Sequence, residues 1–98
     1  MILSWFNAKA AQSVGIELAR LFIVRVPAGK KLTERKFETK AKAALIEMAK
    51  RIAEYEKSSS LNAYQKAKLG NSFKWTLKDA GYDSDYVDKL TDLLMFQL

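Results

Sequence analysis

Apolar residues recur at three- and four-residue steps along most of this chain, a period that places them on the faces of helices. The clearest stretch is residues 33–57, where Phe37, Ala41, Ala44, Leu45, Met48, Ile52 and Tyr55 share one face. Thr33 suits its N-cap, because a hydroxyl there accepts from a backbone donor that the first turn leaves unpaired. Glu38 with Lys42, and Glu47 with Arg51, stand four apart and should form ion pairs on the wet face. Pro27 and Gly29 break the pattern before this helix, and Ser58, Ser59 and Ser60 break it afterwards.

Two shorter helices follow. Residues 62–80 carry a stripe of Leu69, Phe73, Leu77 and Ala80, with Asn62 and Gln65 in capping-box spacing at the start. Gly81 then closes the helix as a left-handed cap. Gly70 lies within it at a cost of about 1 kcal/mol relative to alanine, which marks close packing or a kink. The last helix begins at Asp83 or Ser84, with Tyr86, Val87, Leu90, Leu93, Leu94 and Gln97 near one face. Asp85 in its first turn suits the positive end of the helix dipole. So few residues separate these two helices that they should form a tight hairpin.

The first segment, residues 4–26, shows two stripes rather than one. Phe6, Ala10, Val14, Leu18 and Leu21 make the first; Trp5, Ile16, Ala19, Ile23 and Val26 make the second. Its end, Leu21-Phe-Ile-Val-Arg-Val, is β-branched enough for a strand. A lone strand would have nothing here to pair with, so helix is expected. The predicted fold class is therefore all-α: a small four-helix, bundle-like domain with a C-terminal helical hairpin, occupying residues 1–98 as one domain.

Composition removes function classes. The chain has no histidine and no cysteine, so it lacks the usual general base near neutral pH, the readiest nucleophile and the commonest transition-metal ligands. No glycine-flanked serine elbow or phosphate-cradling glycine loop replaces them. The expectation is a protein that is not an enzyme and carries no metal or cofactor. The opening Met1-Ile-Leu-Ser-Trp-Phe lacks a basic leader, and Lys9, Glu17, Arg20 and Arg25 interrupt the apolar region before it could span a bilayer. A soluble, cytoplasmic chain without a membrane span is expected.

Charge is unevenly spread. The net +6 separates into +6 over residues 1–57, +4 over residues 58–78 and −4 over residues 79–98. A basic body thus ends in an acidic tail.

Three features could carry function. Apolar residues crowd both ends of the chain, and ends exposed to water need cover. Either the two end helices pack on each other, or the surplus apolar surface is an interface between copies. The second option makes a homodimer that also holds a protein partner the leading reading, with Trp5, Phe6, Phe22, Met95 and Phe96 as the interface residues. A membrane-surface helix fits less well, since the segment has no strong basic rim.

The second feature is a stripe on the third helix. Tyr64, Lys68, Asn71, Trp75 and Lys78 share a face roughly opposite Phe73 and Leu77, flanked by Lys66 and Lys74. Lysines hold phosphate, asparagine can read a base edge and an indole offers a stacking surface, so this face is the alternative, a nucleic-acid contact. The structural option is that Tyr64 and Trp75 pack on a neighbouring helix while the lysines are solvated. A third cluster, Arg25, Lys30, Lys31, Arg35, Lys36, Lys40 and Lys42, is diluted by Glu34 and Glu38 and reads better as a solvated surface. The hairpin does not act as a DNA-reading helix-turn-helix, because its second helix carries Asp85, Asp88 and Asp92 on one face that phosphates would repel. Those aspartates should form a wet face or meet lysines of a neighbouring subunit.

Overall fold

A computed structural model describes the backbone of residues 2–26, 28, 34–58 and 61–98, and the side chains of 8–26, 28, 39–57 and 61–98. The described residues form four helices: α1 (Ile2–Arg25), α2 (Glu34–Ser58), α3 (Ala63–Asp79) and α4 (Ser84–Gln97). No strand occurs among the described residues, and residues 21–25 continue α1 as helix. Thr33, Pro27, Gly29, Ser59 and Ser60 lie outside the described residues, as do the side chains of Trp5, Phe6, Phe37, Glu38 and Ser58. Lys30 and Lys31 of the third cluster lie outside them too, and of Arg35 and Lys36 the backbone alone is described.

The hairpin signals act where the sequence places them. The Gln65 N–H donates to Asn62 Oδ1 and the Asn62 N–H to Gln65 Oε1, both at 2.8 Å, which completes the capping box of α3. At the other end Gly81 takes a φ of 95°. The Tyr82 N–H reaches back to the Leu77 carbonyl and the Gly81 N–H to that of Lys78, the paired bonds of a Schellman cap. Asp83 then caps α4 by accepting from the Tyr86 N–H at 3.0 Å.

α1 and α3 run side by side in the same direction and form the centre of the molecule. Ala8, Ala11, Gly15 and Ala19 put a small, buried residue on almost every turn of α1, so the two backbones approach closely. The Ser72 hydroxyl of α3 crosses the contact to donate to the Gln12 carbonyl at 2.9 Å. α2 lies antiparallel on α1, and α4 antiparallel on α3. Leu18, Phe22, Met48, Leu69, Phe73, Leu77, Val87 and Leu94 fill the core between them.

Ala10, Ala80 and Gln97, expected on helix stripes, are exposed, and three larger expectations also change. Phe22, expected at an interface, is fully buried. It packs edge-on against Tyr82 at 5.7 Å and against Tyr86 at 6.2 Å, because the hairpin folds back over the end of α1. Burial pushes the Tyr86 hydroxyl up to about 12. Tyr82 donates its hydroxyl to the Val26 carbonyl and so ties that end down. Secondly, Arg51 does not pair with Glu47 four residues earlier. It reaches Glu17 of α1 at 2.9 Å, while Glu47 takes Lys50 and Arg25 at 3.8 Å each, because α1 brings its own charges within reach. Thirdly, Leu93 leaves the predicted stripe of α4 and is 55% exposed. The reason lies in the contact pattern: α1 spends its apolar circumference on α3 and α2, so α4 rests mainly on α3 and its far side is left open.

Candidate functional site

That open side of α4 faces α2 across a furrow. Its wide end is a cavity of about 460 Å³ lined by Ala41, Lys42 and Leu45 from α2 and Tyr86, Lys89, Leu90 and Leu93 from α4. A narrower cavity of about 100 Å³ continues it between Leu45, Met48, Ala49 and Ile52 on one side and Leu93, Leu94 and Gln97 on the other. Leu45 and Leu93 belong to both, so the two form one trough. It extends over about three turns of each helix, roughly 16 Å at 1.5 Å per residue. Residue numbers rise together along its two walls, so α2 and α4 are parallel there. The trough exists because α1 and α3 approach so closely beneath it that the two outer helices sit apart.

Phe96 stands one turn beyond Leu93 on α4 and is 90% exposed. It is the most exposed large apolar side chain described, and Ile46 on α2 is exposed as well. Met95, the other expected interface residue of α4, is only partly exposed and lies against Gly70 of α3. Of the five residues expected at an interface, the structure thus leaves Phe96 fully presented, turns Met95 partly inward and assigns Phe22 to the core. The side chains of Trp5 and Phe6 lie outside the described residues. Leu93, Leu45 and Ala41 were not foreseen as surface, since their helical period fits a buried stripe equally well.

The α3 stripe forms a second surface. Tyr64 and Trp75 do not pack under a neighbouring helix; they are 58% and 53% exposed. Lys68 holds its ammonium 5.6 Å from the Tyr64 ring centroid, and Lys78 does the same over Trp75, contacts that orient ring and charge together. Asn71 and Lys68 are exposed between the two aromatics, and Lys66 is partly covered. The acid-free local sequence does not describe the folded surface. Asp88 of α4 places Oδ1 3.1 Å from the Lys78 ammonium and 3.3 Å from that of Lys74. Hydrogen bonding from Lys78 and then Lys74 holds the Asp88 carboxyl below the usual carboxylate range. One aspartate of the predicted wet face therefore offsets two lysines of this same chain.

Among the described residues no group of three acidic or other metal-ligating side chains is placed to hold an ion, and no helix is long and apolar enough to cross a membrane. No protein-family model matches the chain, and neither a curated protein nor a solved structure matches it.

Proposed function

We propose that this chain is a non-catalytic binding protein that associates with itself, and through the same apolar surface with a protein partner, at α4 and the trough beside it. Phe96 is the observation that carries the reading. A phenylalanine that is 90% exposed beside an apolar trough gains most of its burial only when another molecule arrives. Burying one such ring is worth about 1.5–3 kcal/mol, and a symmetric pair would bury two. A cysteine-free chain is also suited to a reducing cytoplasm, where the proposal places it.

Light scattering of the purified chain over a wide concentration range checks this. A mass that rises to that of a dimer is the expected result, and a monomer throughout removes the proposal. Phe96→Ser should weaken the dimer at least tenfold. Unfolding of the protomer should shift little, because substitutions at exposed sites usually change stability by no more than about 0.5 kcal/mol.

A second reading rests on the exposed Tyr64 and Trp75 with their lysines. These would stack bases of a single nucleic-acid strand while Lys66 and Lys68 meet its phosphates. Fluorescence quenching of the indole by a single-stranded oligonucleotide tests it. Binding should weaken steeply with salt, and Trp75→Ala should lower it about tenfold or more. Affinity that ignores both the salt and the substitution would dismiss this face.

A further inference from the structure

We propose that the occupant of the trough is a second copy of this chain, docked with the two α4 helices antiparallel about a two-fold axis that passes between Lys89 and Asp92. This rests on the self-association reading and deepens it by specifying which residues meet.

Charge decides how two copies can meet. Two chains of net +6 repel at a distance, so the contact rests on short-range complementarity. Residues 79–98 carry −4, so two α4 helices brought together repel unless their lysines are set against their aspartates. Short-range charge then selects the direction. The outer face of α4 presents Asp85, Lys89, Asp92 and Phe96, all exposed. Neither Lys89 nor Asp92 forms an ion pair with another described residue of its own chain. A parallel pair of α4 helices would set Lys89 beside Lys89 and Asp92 beside Asp92. An antiparallel pair centred between them sets each Lys89 against the other copy's Asp92, twice over. Lys42, on the opposite rim of the wide cavity, adds a further cation near the arriving aspartate.

Shape agrees with charge. In that register Phe96 of one copy falls level with residues 85 and 86 of the other. There lies the wide end of the trough, walled by Ala41, Leu45 and Tyr86. The most exposed ring in each protomer is thus carried to the wide, apolar end of the trough in its mate. Because the axis is two-fold, the arrangement is closed: both rings are seated and no second trough remains to recruit a third chain.

Sedimentation equilibrium on the full chain and three variants tests it. Lys89→Asp and Asp92→Lys should each raise the dimer Kd about tenfold, since either one turns two attractive pairs into two repulsive ones. The double variant, which swaps the charges, should return the Kd to near that of the parent. Bulk charge alone predicts otherwise: Lys89→Asp lowers the net charge and would tighten the dimer, while Asp92→Lys raises it and would loosen the dimer. Circular dichroism confirms that each variant folds. If the parent chain is a monomer at every concentration, self-association and this arrangement fall together. If the parent dimerises but the single variants match it, or the double variant is not restored, then this arrangement alone is overturned and copies meet elsewhere.

Discussion

Gly15→Ala is expected to lower the unfolding free energy by about 3 kcal/mol, although alanine is the better helix former. Two effects compete. Removing a glycine from a helix interior favours folding by about 1 kcal/mol. Against that, a Cβ at residue 15 would stand inside van der Waals contact with the Ser72 hydroxyl and the Leu69 carbonyl oxygen. The second obstacle is backbone of α3 and cannot rotate away, so α1 and α3 must separate along their crossing. Overpacking usually costs about 1–3 kcal/mol and more where the structure cannot yield. A domain of this size holds about 5–10 kcal/mol in total, so the variant should lose a large share of its stability. Its thermal midpoint should fall by more than 10 °C, at roughly 4–8 °C per kcal/mol. Gly70→Ala is the control, since the atoms nearest its Cβ would be those of the flexible thioether of Met95. That variant should unfold within about 1 kcal/mol of the parent. Equal midpoints for the two variants would mean that the close approach of α1 and α3 at Gly15 is wrong.

Phe22→Ala should cost about 4 kcal/mol, near the centre of the range for a fully buried phenylalanine. The ring lost is the one that Tyr82 and Tyr86 pack against, so the cavity opens where the hairpin meets the end of α1. Urea unfolding followed by circular dichroism measures it, and Phe22→Leu should recover more than half of the loss. The pair Phe22→Ala and Phe96→Ser separates core from surface. The first should change stability with little direct effect on dimer affinity, and the second should do the reverse. A Phe22→Ala protein as stable as the parent would return this residue to the interface.

The helices were legible because their signals are local. Asn62 with Gln65, Gly81 and Asp83 each act within one turn of their own position, where neighbours in sequence are neighbours in space. The stripe Ala44, Met48 and Ile52 was readable for the same reason. The candidate sites were legible only in part. Periodicity put Tyr64 and Trp75 on the face away from Phe73, and they are exposed. It also put Leu93 with Leu90 and Leu94, and there it misled, because an apolar residue looks the same whether its neighbour is present or missing. Phe22 failed in the opposite direction: its place in α1 says nothing of the two tyrosines that the hairpin brings to it from the far end of the chain.

By itself, then, the sequence determined four helices, their caps, the tight hairpin and an acidic last segment on a basic body, all set by interactions a few residues long. Tertiary structure alone decided that α1 and α3 would be the close pair, that Arg51 would choose Glu17, that Asp88 would hold two lysines, and that α2 and α4 would be left facing each other across an open trough. A helix face states how much apolar surface needs cover. Which neighbour supplies it depends on how near two backbones can come, and here that distance is set by the small residues of α1, with Gly15 at the tightest point.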